Sequence, residues 1–197
     1  MDCWTPMEVT SLFSIPIYDH QYDEDLGDLE NECIKRSTLD SGQVLTNFGG
    51  WHSNNISSND DFFSEFILEI EKQANNFAKE IEINQSLKLT NLWININGYK
   101  DFNIRHTHEN SIISGVFYVK APDKSSKITF YHPAFKLMVR EWNINMKHNH
   151  YTSSVWSITP QKGKLLLFPS WLEHEVSPNL SQESRISISF NIAGEND

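Results

Sequence analysis

The densest potential for chemistry in this 197-residue chain lies in Arg105-His106-Thr107-His108-Glu109. Two histidines at i and i+2 of an extended segment share one face, about 6–7 Å apart along the chain. That spacing suits two ligands of one metal, because imidazole nitrogen is a common donor for zinc and iron. His-x-His alone says little, but its sequel adds weight. In GKLLLFPSWLEHEV, His174 stands just past the apolar run, and Arg185 opens RISISFN eleven positions later. A metal gripped from one side by three protein ligands keeps positions open for a chelating small molecule. Arg suits the far carboxylate of such a molecule, since its planar fork makes paired bonds and keeps its charge.

The elements that must position these groups follow from periodicity. In RISISFNI, the residues Arg185, Ser187, Ser189 and Asn191 share one face, and Ile186, Ile188, Phe190 and Ile192 the other. NLWININ alternates in the same way, with Asn91, Trp93, Asn95 and Asn97 opposite Leu92, Ile94 and Ile96. A solvated face would carry Lys, Glu and Thr; short Asn and Ser side chains with one Arg fit a polar cavity between sheets. Strands are predicted at 87–97, 102–108, 111–121, 127–131, 154–159, 164–168 and 185–193. Many short strands with turn residues between them imply a sandwich or jelly roll. Residues 12–18 read as an edge strand broken by Pro16.

The strongest helix is predicted at 61–82. There Phe62, Phe63, Phe66, Ile67, Ile70, Ala74, Phe77, Ala78 and Ile81 keep the i, i+3, i+4 rhythm of one apolar face. Asn59 and Asp60 are candidate N-caps, and a second helix is expected near 26–36. Residues 40–59 and 132–153 read as loops.

At this point the stretch from about 91 to 193 resembles the 2-oxoglutarate and Fe(II)-dependent oxygenases. The resemblance rests on Trp93-Ile94-Asn95, His106-Thr107-His108, Ser114-Gly115-Val116-Phe117-Tyr118-Val119, the run Gly163 to His174, and Arg185 to Asn191. It implies a double-stranded β-helix (jelly roll), mainly β, with one or two helices on the outer face. It also implies an iron dioxygenase that decarboxylates 2-oxoglutarate while oxidising a second substrate. His106 and His174 would be metal ligands. Arg185, Ser187 and Tyr118 would hold the 2-oxoglutarate carboxylate, with Asn95 or Asn97 as further contacts. Related enzymes carry Asp where this chain has His108. Either three neutral histidines hold the iron, or a bulge brings in Glu109; the three histidines are preferred, because Glu109 faces away in a regular strand. The rival readings are a cupin-type metalloenzyme without a cosubstrate and a non-catalytic jelly-roll binding module. The expected Glu of cupins is missing from residues 110–114.

Composition bounds the rest. With 39% hydrophobic and 12% aromatic residues the chain can build a real core, which a disordered chain cannot. One domain over 1–197 is expected, with strand and helices in 1–85 and the jelly-roll core in 86–197. A net charge of -10 disfavours nucleic acid and anionic membranes as partners. Two cysteines, Cys3 and Cys33, form no CxxC pattern and are read as free thiols in a reducing compartment. No basic leader or long apolar span is visible, so a cytoplasmic protein is expected. The partners left open are a small-molecule or protein side-chain substrate and a second copy of the chain as a homodimer. His132, His148 and His150, in or beside the loop at 132–153, are expected to be exposed, and His20 and His52 have no partner pattern. Trp156 and Trp171 are expected in the core or anchoring loops.

Overall fold

The computed structural model describes residues 10–141 and 147–194. Along the chain run β1 (Tyr18–Gln21), α1 (Gly27–Ser37), β2 (Asn47–Phe48), β3 (Trp51–His52), α2 (Ser64–Glu80) and β4 (Leu87–Asn97). Then follow β5 (Phe102–His106), β6 (Ile113–Lys120), β7 (Ile128–Tyr131), α3 (Phe135–Glu141), β8 (Val155–Ile158), β9 (Lys164–Pro169), β10 (His174–Val176) and β11 (Arg185–Gly194). They pair antiparallel into two sheets, ordered β1-β9-β6-β11-β4-β3 and β2-β5-β10-β7-β8. This is the expected jelly roll with helices on one outer face.

The larger sheet is a shared wall between two apolar cores. On its outer side Leu92, Ile94, Phe117, Val119, Leu165, Leu167, Ile186, Ile188 and Phe190 meet Ile67, Ile70, Ala74 and Phe77 of α2 and Cys33 of α1. On its inner side Val116, Tyr118, Leu166 and Phe168 meet Ile128 and Phe130 of the smaller sheet. Strict alternation along β6 and β9 makes both cores from the same strands. The polar rows of β4 and β11 face inward beside the second core, and the register pairs Arg185 with Asn97 and Ser187 with Asn95. Tyr118 of β6 lies opposite Ser187 from the other side.

Several expectations need correction. β1 begins only at Tyr18, the last residue of the segment read as a strand, because Pro16 offers no N–H to a ladder; it lies at the edge of its sheet, as expected of that strand. The strand predicted at 102–108 stops at His106. The loop at 132–153 contains α3, which is too short to show a period, and the loop at 40–59 contains β2 and β3. The helix predicted at 61–82 is regular only over Ser64–Glu80. Asp60 still closes its entry, accepting the Phe62 and Phe63 N–H groups at 3.1 and 3.3 Å, while Phe62 is left exposed. Trp156 and Trp171 are 39% and 56% exposed, so neither is a core residue. Cys3 lies outside the described residues.

Candidate active site

β5 and β10 face each other with His106 opposite His174. Between that pair and Asn103 opposite Val176, β5 spends three steps where β10 spends two. This bulge breaks the alternation, so Asn103 and His106 both line the same cavity. Arg105 stays outside, ion-paired with Glu173 at 2.7 Å and stacked 3.5 Å over the Tyr131 ring. His108 sits two residues past the strand end. It is fixed by its own N–H, which donates to the Ser170 carbonyl at 3.0 Å.

The three rings nevertheless converge. Centroids lie 4.4 Å apart for His106 and His174, 4.9 Å for His106 and His108, and 5.2 Å for His108 and His174. One donor nitrogen from each lies within 4.8 Å of the others, and Glu109 is not in the cluster. His106 Nδ1 donates to the Ile104 carbonyl at 2.6 Å and His174 Nδ1 to the Leu172 carbonyl at 2.9 Å. A carbonyl can only accept, so both rings carry their proton on Nδ1 and turn an Nε2 lone pair outward. Burial lowers the pKa of all three histidines, taking His108 to about 4 and His174 to about 3, with neighbouring rings adding to the effect in those two. Near neutral pH they are uncharged and free to bind a metal. An ion about 2.1 Å from each nitrogen needs donors roughly 3 Å apart, so small ring movements close the site.

A cavity of about 50 Å³ joins the histidines to Arg185, Ser187 and Tyr118. Arg185 is only 2% exposed, and no carboxylate pairs with it among the described residues. Its Nη2 donates to Asn97 Oδ1 at 2.5 Å, while its buried Nε has no partner. Burial depresses its pKa. Tyr118 is driven up to about 12, chiefly by burial and against the pull of Arg185, so its hydroxyl stays a donor. Ser187 is buried, in register between Tyr118 of β6 and Asn95 of β4. Asn95 lines the same space, with Nδ2 given to Ser189 Oγ at 3.1 Å and Oδ1 unpartnered. All seven sequence-predicted site residues therefore line one cavity.

Sequence reasoning missed other parts. Asn103 was hidden by the bulge, which only its pairing partner reveals. Asn97 was legible from the alternation of β4, but its bond to Arg185 was not. His52, without a sequence signal, stacks on Trp93 at 5.6 Å, and Trp93 in turn lies 5.8 Å from His108. His148 and His150 are exposed and pack on Trp156, as surface histidines. A second cavity of about 710 Å³ lies between segment 10–17 and residues 149–156, and reaches Phe130 and Leu172.

Comparison with known proteins agrees with this geometry. Residues 91–191 match a family described as "Putative 2OG-Fe(II) oxygenase". No curated protein matches by sequence. Among solved structures, a prolyl-4-hydroxylase from Pseudomonas putida is similar at 12% identity and TM-score 0.67, over 92% of this chain and 94% of that one. The epimerase SnoN of nogalamycin biosynthesis gives 12% identity and TM-score 0.70, over 92% and 79% of the two chains. HygX from Streptomyces hygroscopicus, solved with nickel and 2-oxoglutarate, gives 12% and 0.65, over 92% and 84%. At such identities these structures speak for the fold alone. The matched segment is half of the chain and contains every residue of the cavity's histidine and arginine ends, so the chain belongs to the 2OG-Fe(II) oxygenase family.

Proposed function

We propose that the protein oxidises a second substrate while converting 2-oxoglutarate and O₂ to succinate and CO₂, with iron on His106, His108 and His174. Arg185 binds the far carboxylate of 2-oxoglutarate, Ser187 and Tyr118 add hydroxyl donors, and Asn95 borders the same pocket. One observation carries this reading: a buried guanidinium, unpaired with any carboxylate among the described residues, shares a cavity with three neutral, convergent imidazoles. An unpaired buried charge is costly, which makes an anionic ligand the natural occupant. When bound, iron would template the cosubstrate and act as redox centre. The residues do the rest: Ile104 and Leu172 carbonyls fix two ring tautomers, and Asn97 aims the guanidinium.

A binding module without catalysis is the surviving alternative, motivated by His108 in place of the usual carboxylate. Anaerobic addition of Fe(II) and then 2-oxoglutarate should produce the weak visible band of an iron–2-oxoglutarate chelate, and admitting O₂ should release succinate. No band would overturn the site; a band without succinate, with or without substrate candidates, would leave the binding module. Among the described residues no helix is long and apolar enough to cross a membrane. A reducing cytoplasmic setting is supported by Cys33, which is buried and has no disulfide partner among the described residues.

A further inference from the structure

Three motif residues remain unexplained by ligand contacts: Ser114 of SGVFYV, Ser170 of FPSWL and Asn191 of RISISFN. The fold brings them together. Ser114 Oγ donates to Asn191 Oδ1 at 2.8 Å and lies 2.8 Å from Ser170 Oγ. Ser114 has one proton and gives it to Asn191, so Ser170 is the donor to Ser114. The chain Ser170–Ser114–Asn191 crosses three neighbouring strands or their ends, and the three residues are 0%, 1% and 8% exposed.

What this chain fastens is the turn Pro169-Ser170-Trp171-Leu172. The turn is closed by Leu172 N–H to the Pro169 carbonyl at 2.9 Å and tied to the residue just before β6 by Ser170 N–H to the Ile112 carbonyl at 3.1 Å. Two of its carbonyls serve the histidines: Ser170 accepts from His108 N–H, and Leu172 accepts from His174 Nδ1. His108 lies off the strand, so the Ser170 carbonyl is the only described hydrogen bond that holds its backbone in place. Buried hydroxyls linked in series have one good arrangement, which gives the turn a defined position that apolar packing alone does not.

We propose that Ser170, Ser114 and Asn191 are positioning residues for the metal site, locking the Pro169–Leu172 turn whose carbonyls set His108 and His174. This rests on the reading that the three histidines share one metal. The test titrates the full chain with Co(II) and follows the visible d–d band, which reports coordination geometry independently of turnover. Ser170→Ala and Ser114→Ala should each weaken Co(II) binding about tenfold and alter the band, as loss of groups that orient metal ligands does. The double variant should be no worse than either single one, because the two hydroxyls act in series. Ile67→Ala, a destabilising change in the helix-side core, should leave affinity and band unchanged. An unaltered band in both serine variants overturns the proposal, as do additive losses or the same change in Ile67→Ala. If Ser170→Ala does not fold, Ser114→Ala and Asn191→Ala carry the same expectations. His106→Ala and His174→Ala separate the two levels: unchanged Co(II) binding there removes the metal site itself, whereas its loss there with silent serine variants removes only the positioning role.

Discussion

Arg185 and His108 set the terms at the scale of single residues. Arg185 is buried in the cavity wall with no carboxylate partner among the described residues, so its burial costs stability that binding an anion would return. Arg185→Leu should therefore weaken 2-oxoglutarate by about 3–5 kcal/mol, hundredfold or more, while Fe(II) affinity changes little. The ligand-free variant should melt no lower than the parent. Titration of 2-oxoglutarate at fixed iron, with melting of the ligand-free forms, checks both; equal cosubstrate affinity would place the carboxylate elsewhere. For His108, the Asp variant restores the usual two-histidine, one-carboxylate set and should still bind Fe(II). His108→Leu should bind it much more weakly. Glu109 is exposed and outside the donor cluster, so Glu109→Gln should matter little. Iron titration of the three variants decides; iron lost in Glu109→Gln and kept in His108→Leu would reverse the assignment.

Elements explain why some of this was legible beforehand. β4 and β11 were readable because each has one apolar and one polar face, and that alternation holds without knowledge of any partner strand. The bulge in β5 was not, since it exists only in the pairing with β10. β10 itself has 3 residues and α3 has 7, too few to show a period. The histidine cluster was found through residue types and order, although His108 arrives by a turn contact and not by strand alternation. A crossing between sheets was also invisible: β2 belongs to the smaller sheet and β3 to the larger, with Gly49 and Gly50 between them. Their φ values are 72° and 66°, in the left-handed region that side chains resist. A Cβ at Gly49 would also strike the Asp101 carboxylate. Gly49→Ala should cost about 2 kcal/mol, lowering the melting temperature by roughly 4–8 °C. Gly27→Ala is the control, since its nearest neighbour, Asp25, stands at an ordinary 3.4 Å. Equal melting temperatures for both variants would show that the crossing tolerates a side chain.

At the scale of the whole molecule, we propose that the helices and the jelly roll unfold as one cooperative unit, because the larger sheet lends side chains to both cores. Leu165 and Leu167 pack under the helices, while Leu166 and Phe168 pack in the second core beside the site. Cys33 offers a probe of this coupling. It lies on α1, fully buried, and burial raises its thiol to about 12. In an unfolded chain the same thiol titrates near ~8.5, so at pH 8 it reacts with iodoacetamide essentially only after opening. When reclosing is faster than labelling, the rate follows the population of the open form. A ligand bound only by the folded state lowers that population, by about 2.7 kcal/mol at a hundredfold excess over its dissociation constant. With Fe(II) held constant and O₂ excluded, saturating 2-oxoglutarate should thus slow Cys33 labelling by roughly a hundredfold. Peptide mass spectrometry counts Cys33 separately from Cys3. A rate indifferent to 2-oxoglutarate, in protein that demonstrably binds it, would mean that α1 opens without the site and that the two cores are separate units.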